Sequence, residues 1–274
     1  MCPAKVAKNA KRGYLIPIGG AEDKLGDLKI LKRFVRLCGR SPTIGIIPTA
    51  SRREDTGRIY QELFDDIGAD RSVVLNFTHR DDCEDPALLA VIEEASGIFI
   101  TGGNQLRLST TLGGTAVAKA LRRRHAAGMH LAGTSAGAAI MPEHMIAGGD
   151  EGQTPRAGMV TLAPGLGLSN KIMIDQHFRQ RDRLGRLVAA VALNPFAVAL
   201  GIDEDTGAFI DPDNTLEVVG SGTITVIDPA RLGHSSMPEA DPGEVLSVTG
   251  MQLHVLGHGG RFDLDSRIAQ PPPE

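Results

Sequence analysis

The sequence predicts an α/β fold with a mostly parallel sheet, helices on both of its faces, and an antiparallel strand extension in the C-terminal part. Two observations lead to this prediction. Strand-like and helix-like segments alternate through the first two thirds of the 274 residues, and the strands are continuous apolar runs, as in strands buried on both faces. From about residue 205 onward, short strands follow one another across turns rich in Gly, Pro, Asn and Asp, which indicates antiparallel pairing.

The elements follow in order from local patterns. The early predicted strands are apolar runs at 14–18, 43–48, 73–77 and 97–100. The predicted helices carry apolar residues at helical spacing and lie at 27–38, 57–67, 86–95 and 115–126. The later predicted strands lie at 208–211, 215–219, 223–228, 244–249 and 253–256. We expect a single domain over residues 13–269, with disordered tails at 1–12 and 270–274.

Composition limits the classes of function. Hydrophobic residues make up 42% of the chain, and no apolar run approaches the roughly 20 residues that a membrane span needs. With a net charge of −4, no Trp and 4% aromatic residues, the chain offers little on which bases could stack, so we expect no nucleic-acid partner. Cys2, Cys38 and Cys83 fit neither a disulfide framework nor a zinc motif, which favours a cytoplasmic location.

A nucleophile motif, Gly133-Thr134-Ser135-Ala136-Gly137, follows a short apolar stretch at 129–132. Between a strand and a helix, the pattern G-x-S-x-G places the serine on a strained turn with its hydroxyl exposed, and the glycines remove side chains that would clash. This predicts Ser135 as a nucleophile, with the backbone N–H of Ala136 directed at an oxyanion. A Gly-rich turn with a helix-capping serine is the non-catalytic alternative.

A catalytic serine needs a base, and His177 is the strongest candidate among the eight histidines. It follows an apolar strand-like run and two polar residues, at a strand end where sites form in open α/β sheets. A buried histidine satisfied by local backbone is the alternative. Three acids at 203–205 end another strand, where one of them could orient the histidine. His254 and His258 lack a third ligand of fitting spacing, so we expect no metal site.

Four arginines come directly after the candidate base: Arg179, Arg181, Arg183 and Arg186. Arg181 and Arg183 border the apolar stripe of the helix predicted there, whereas Arg186 lies nearly opposite that stripe. Guanidinium forks suit a bidentate grip on carboxylates, so the cluster is a candidate substrate cleft. A solvated basic face is the alternative.

Two Gly-rich segments, at 19–23 and 101–105, follow predicted strands and admit close approach of the backbone to a ligand. Neither matches a dinucleotide-binding or P-loop pattern, so a nucleotide ligand is not indicated. Gly103 in the second segment could supply the other oxyanion donor.

Taken together, these residues resemble the cyanophycinase family of serine peptidases, in order along the chain from about residue 14 to 227. The segments that carry the resemblance lie at 19–24, 48–51, 101–105, 133–138, 175–178 with the arginines that follow, and 201–206. The resemblance implies the fold of dipeptidase E and of class I glutamine amidotransferases; the latter have cysteine where this chain has Ser135. It also implies a homodimer, no cofactor, and cleavage of cyanophycin, a poly-aspartate backbone with arginine on each side-chain carboxyl.

Carried over residue by residue, the resemblance makes Ser135 the nucleophile, His177 the base and Glu204 the third member of a triad. It assigns six residues to the substrate pocket: Gln105, Asp175, Gln176, Arg181, Arg183 and Arg186. The expected product is the β-Asp-Arg dipeptide, released through an acyl-enzyme. Two alternatives stay open, an aspartyl dipeptidase of the dipeptidase E type and a non-catalytic small-ligand-binding protein on the same fold.

Overall fold

The computed structural model describes residues 2–273, so Met1 and Glu274, which belong to the two predicted tails, lie outside the described residues. The helices are α1 (Lys29–Leu37), α2 (Thr56–Asp66), α3 (Pro86–Glu94), α4 (Gln105–Leu112), α5 (Ala116–Ala126), α6 (Ala136–Ala139) and α7 (Leu184–Leu193). None of these is long and apolar enough to cross a membrane, a finding that covers residues 2–273.

The strands up to residue 202 are β1 (Leu15–Ile18), β2 (Thr43–Ile47), β3 (Arg71–Val74), β4 (Gly97–Ile100), β5 (His130–Thr134), β6 (His144–Gly149), β7 (Val160–Pro164), β8 (Ile172–Gln176) and β9 (Val198–Ile202). The strands after it are β10 (Thr206–Ile210), β11 (Thr215–Gly220), β12 (Ile224–Asp228), β13 (His234–Ser235), β14 (Val248–Thr249), β15 (Gln252–Leu256), β16 (Arg261–Asp263) and β17 (Ile268–Gln270).

The main sheet has nine strands in the order β17-β16-β11-β10-β1-β5-β4-β2-β3. The half from β1 to β3 is parallel, and the half from β10 to β17 is joined to β1 by antiparallel pairing. This confirms the predicted α/β fold with an antiparallel extension. The parallel strands all end on one edge of the sheet, and β5 at its centre delivers the nucleophile motif there.

A second sheet of four strands has the order β15-β12-β9-β8. The sequence did not predict it: 223–228 and 253–256 were expected to extend the main sheet, but they pair within this second sheet. Strand β8 runs parallel to β9, with Gln176 opposite Ile202, so the residues that follow the two strands emerge side by side. Of the predicted strand at 244–249, Val248–Thr249 pairs with β13, and Val245 forms an isolated bridge with Arg156.

The core forms three clusters around the two sheets. On one face of the main sheet, Phe34 and Phe64 of α1 and α2 pack around Phe99, with ring centroids 5.1 to 6.2 Å apart. The opposite face is covered by α3 to α6 and by one face of the second sheet. Helix α7 covers the other face of the second sheet, against Met173 and Ala199. Apolar strands buried on both sides follow directly from this layering.

Residues 2–12 contain no helix or strand, although Arg12 donates from Nη2 to the carbonyl of Ala4 at 2.7 Å. Gln270 was assigned to the C-terminal tail but pairs with Arg261, because β16 leaves an open edge on which β17 adds one more strand.

Candidate active site

The nucleophile motif forms a sharp turn between β5 and α6. Ser135 has φ 52° and ψ −111°, a conformation that L residues rarely adopt, as the motif predicts. Its flanking glycines are required by contact. A Cβ on Gly133 would lie 2.5 Å from the carbonyl oxygen of Gly137, and a Cβ on Gly137 would lie 2.1 Å from that of Ile100. The turn therefore raises the Ser135 hydroxyl at the carboxyl edge of the main sheet.

His177 brings its imidazole to this hydroxyl from the end of β8. Its Nε2 lies 2.8 Å from Ser135 Oγ, and its Nδ1 lies 2.7 Å from Glu204 Oε1. Because a carboxylate can only accept, Nδ1 carries the proton and Nε2 is free to accept from the serine. The His177 N–H donates to the carbonyl of Gly19 at 2.8 Å, which ties the turn at φ 51° to the end of β1.

The geometry distinguishes among the three acids that follow β9. Asp203 is 2% exposed and accepts from Thr223 and from the Arg179 N–H, while Asp205 accepts from the Asp23 N–H and the Ser221 hydroxyl. Only Glu204 of the three reaches the histidine. Its own N–H donates to Gln180 Oε1 at 3.1 Å.

The electrostatic surroundings favour a neutral imidazole. Burial is the main cause that lowers the pKa of His177 below its ordinary value, and the positive charges of Arg181 and Arg183 lower it further. The hydrogen bond that Nδ1 donates to Glu204 raises this pKa and so acts in the opposite direction. To act as a general base, the imidazole must be neutral and its free lone pair, here on Nε2, must point at the serine hydroxyl.

The Gly-rich segment at 19–23 approaches His177 and not an open space for a ligand. Gly20 has φ 103°, and a Cβ there would lie 2.3 Å from Cε1 of His177. A Cβ on Gly19 would lie 2.0 Å from the carbonyl oxygen of Asp203. These two glycines allow the ends of β1, β8 and β9 to meet.

The second Gly-rich segment lies over the nucleophile. A Cβ on Gly102 would be 3.3 Å from Ser135 Cβ, and Gly103 has φ 144° with its Cα against the carbonyl of Ala50. Within residues 2–273, the N–H groups of Gly103 and Ala136 have no hydrogen-bond acceptor. Unpaired donors beside a nucleophile are what an oxyanion hole needs, and the role of these two groups in it stays a prediction.

The predicted pocket residues divide into a buried group and an accessible group. Asp175 is fully buried, and Arg186, 4% exposed, donates to it from Nε at 2.6 Å and also from Nη2. Arg183, 6% exposed, reaches the same carboxylate at 3.2 Å and the carbonyl of Gln176. One buried carboxylate thus holds two guanidinium groups, and Arg186 also donates to the carbonyl of Gly149.

Arg181 is exposed, and within residues 2–273 it forms no ion pair or side-chain hydrogen bond. Two buried polar atoms beside it, Gln176 Oε1 and Arg183 Nε, also have no partner among those residues. Gln105 donates from Nε2 to the carbonyls of Ile146 and Ala147 at 3.2 and 2.9 Å, which ties the start of α4 to β6. The substrate role of all six residues stays a prediction.

Sequence reasoning missed a buried acid directly behind the nucleophile. Glu22, 3% exposed, accepts hydrogen bonds from the hydroxyls of Tyr60 and Thr134 and lies 2.9 Å from Lys24 Nζ. Thr134 immediately precedes Ser135, so this carboxylate anchors the last residue of β5. Its partners lie 38 and 112 residues away, and no local pattern could have joined them.

Comparison with known proteins agrees with this architecture. The family model described as peptidase family S51 matches residues 15–218. A cyanophycinase of Trichormus variabilis is 43% identical over 96% of this chain and 89% of its own length. A cyanophycinase of Synechococcus elongatus is 40% identical over 94% of this chain and 81% of its own length. The crystal structure of a peptidase from an acI-B1 Actinobacterium covers 93% of this chain and 98% of its own, with a TM-score of 0.69 at 21% identity, and shows that the two share a fold.

The fold and the family match are those of a serine-type peptidase, with the candidate nucleophile Ser135 in a tight turn at the carboxyl edge of the parallel strands. The chain belongs to peptidase family S51. The resemblance to the cyanophycinase family is thereby confirmed.

Proposed function

We propose that this peptidase hydrolyses the backbone of cyanophycin through a Ser135–His177–Glu204 triad and releases β-Asp-Arg dipeptides. The observation that carries the proposal is the continuous pair of hydrogen bonds from Ser135 through His177 to Glu204, at 2.8 and 2.7 Å. The names of relatives about 40% identical over nearly the whole chain support the substrate.

The mechanism is acyl transfer in two steps. Ser135 Oγ attacks the aspartyl carbonyl while His177 Nε2 takes its proton, and the N–H groups of Gly103 and Ala136 stabilise the oxyanion. His177 then returns the proton to the leaving amine, which breaks the peptide bond and leaves an ester on Ser135. A water molecule activated by the same imidazole hydrolyses this ester. Glu204 keeps the imidazole oriented and stabilises its protonated form.

Substrate recognition is assigned to the groups that remain free beside the triad. The exposed guanidinium of Arg181 is a donor for a substrate carboxylate, while Arg183 and Gln176, whose Nε and Oε1 atoms are buried, shape the wall of the pocket. Asp175 and Arg186 pair their charges with each other, so we assign them the role of holding the pocket residues in position. The modest net charge of −4 suits a zwitterionic polymer.

The test is incubation of the purified protein with cyanophycin and identification of the products by mass. We expect β-Asp-Arg from the wild type and none from Ser135→Ala, which should fold normally. Loss of a nucleophile costs about 10⁴–10⁶ in kcat. A folded Ser135→Ala protein that keeps a tenth of the activity would disprove the assignment.

The same purified protein also distinguishes the proposed function from the two alternatives. An aspartyl dipeptidase would hydrolyse Asp-X dipeptides faster than the polymer. A non-catalytic binding protein would hydrolyse neither, and Ser135 would not react with a serine-directed reagent. The pairing of Ser135 with a neutral imidazole favours labelling.

We also propose a homodimer of single domains over residues 13–269, located in the cytoplasm. The edge strand β15 supports the dimer, since it exposes Leu253 and Val255 by 54% and 58%. Cys38 and Cys83 are buried free thiols, which suits a reducing compartment. Light scattering would give the mass in solution, and limited proteolysis would show whether the protected fragment is 13–269.

A further inference from the structure

A second cavity, of about 430 Å³, opens at the same edge of the main sheet as Ser135 and has no part in the mechanism above. Its walls come from the residues that follow β2 and β3 and from α4, and they include Ser51, Arg52, Arg53, Glu54, Asn76 and Arg107. Loops at the carboxyl ends of neighbouring parallel strands form a continuous surface. The cavity therefore lies on the same surface of the protein as the nucleophile.

The wall of this cavity is joined to the proposed oxyanion hole by direct contacts. The Asn104 N–H donates to the carbonyl of Ala50 at 2.9 Å, and Gly103 packs against the same carbonyl. Arg107 donates from Nη1 to the carbonyl of Ser51 at 3.0 Å. The segment 50–51 thus supports the oxyanion loop on one side and lines the cavity on the other.

The charges around the cavity are mostly positive. Three arginines and one glutamate line it. Arg53 is paired with Asp55, at 3.1 and 3.0 Å. Arg52 is exposed and has no ion pair or hydrogen bond within residues 2–273, and Arg107 uses one nitrogen on Ser51 and leaves its other donors free. The cavity therefore presents two guanidinium groups with free donors, which bind carboxylates in a planar fork.

We propose that this cavity is a subsite for the arginine α-carboxylate of a polymer unit beyond the two units that the scissile bond joins. The proposal rests on the proposed function, because it takes cyanophycin as the substrate. Each unit of that polymer carries one free carboxylate and one guanidinium. The carboxylate binds Arg52 and Arg107, and the guanidinium faces Glu54. The subsite raises affinity for long chains and leaves the chemical step unchanged, because none of these side chains touches Ser135.

The test compares substrates of two lengths in the full-length protein. The short one is a two-unit fragment with a single backbone peptide, which fills only the positions next to the scissile bond. The long one is cyanophycin. We expect Arg52→Glu to raise KM for cyanophycin about tenfold, with kcat and the KM for the two-unit fragment within twofold of wild type. Arg52→Lys should recover only part of the affinity, since it restores the charge without the fork.

Arg40→Glu is the matched control. Arg40 is also exposed and lacks an ion pair within the described chain, but it precedes β2 at the opposite edge of the sheet. The subsite is overturned if Arg52→Glu leaves the KM for cyanophycin unchanged, if Arg40→Glu raises it equally, or if both substrate lengths lose affinity equally. A wild type that releases β-Asp-Arg from neither substrate overturns the proposed function together with the subsite.

Discussion

The backbone of Gly20 lies directly against the imidazole of His177. A Cβ at residue 20 would stand 2.3 Å from Cε1 and 2.6 Å from Nε2 of that ring. The backbone at this position has φ 103°, a value that residues other than glycine rarely adopt. The end of β1 therefore determines where the imidazole can lie. The imidazole reaches Ser135 because residue 20 is a glycine and has no Cβ.

Gly20→Ala should displace His177 and lower kcat at least about 100-fold, a loss of the size that follows from misplacing a catalytic group by about 1 Å. Gly68→Ala is the matched control, because Gly68 has the same φ of 103° and no atom of residues 2–273 lies within 4 Å of its Cβ position. Both variants should lose about 1–2 kcal/mol of folding stability from the backbone strain. Steady-state kinetics and urea unfolding measure the two effects. Equal kcat values in the two variants would show that the contact with His177 is not critical.

The three triad members should act as one unit. We expect His177→Ala to approach the loss of Ser135→Ala and Glu204→Gln to fall somewhat short of it, with the double variant of Ser135 and His177 hardly worse than either single one. Single-turnover rates on cyanophycin measure this. Additive losses, in which the double variant multiplies the two single effects, would contradict a triad.

The pH profile follows from the lowered pKa of His177. The base acts when neutral, so kcat/KM is full above this pKa and falls as the pH drops through it, below about 6.5. Glu204→Gln replaces a carboxylate, whose charge and hydrogen bond raise the pKa, with a neutral amide, so the acid limb should move to still lower pH. Arg181→Gln removes a positive charge that lowers it, so the limb should move to higher pH. Shifts of opposite sign to these would refute the assignment of the limb to His177.

Local sequence patterns predicted the parts of the site that depend on consecutive residues. The strand before Ser135 and the turn glycines follow from short-range sterics. The sequence alone does not distinguish among the three acids at 203–205. In the structure, Thr223 and Ser221, brought in by the later strands, bind Asp203 and Asp205, which leaves Glu204 to reach the histidine. The resemblance to a family supplied Glu204 where the residues alone left three choices.

The second sheet could not be predicted because its strands resemble those of the main sheet. Strand β8 begins with an apolar run, Ile172 to Ile174, that resembles β1, and pairing is decided by tertiary packing. The same packing also buries the face of α7 that lies opposite its apolar stripe. Arg186 on that face is therefore only 4% exposed, although the helical pattern predicted that it would point away from the core. Its partner Asp175 removes the cost of that burial.

Stability should fall in mild acid because of His125. This histidine is fully buried, and burial lowers its pKa to about 4 from an ordinary value of 6.5. The unfolded chain therefore binds a proton that the folded chain does not, and the free energy of unfolding decreases as the pH falls from about 6.5 toward 4. The lost stability is about 3 kcal/mol for this group. Urea unfolding at pH 7.5 and 4.5 measures it, and His125→Gln should flatten the dependence. An unchanged slope in that variant would assign the effect to other groups.

The arginines after His177 should separate into structural and accessible ones when each is replaced by lysine. Arg186 donates three hydrogen bonds, two to Asp175 and one to Gly149, and a lysine at this buried position can keep the charge but not the fork. Loss of a charge-assisted bond in the interior costs about 2 kcal/mol, so Arg186→Lys should unfold at clearly lower urea concentration.

Arg181→Lys should leave the free energy of unfolding within about 0.5 kcal/mol of wild type, because Arg181 is exposed and forms no side-chain bond within residues 2–273. Its kcat/KM for cyanophycin should fall about tenfold. Unfolding curves and steady-state kinetics on both variants decide the matter. If Arg186→Lys is as stable as wild type, the ion pair with Asp175 does not hold the site together. If Arg181→Lys keeps full kcat/KM, the exposed guanidinium does not contact substrate.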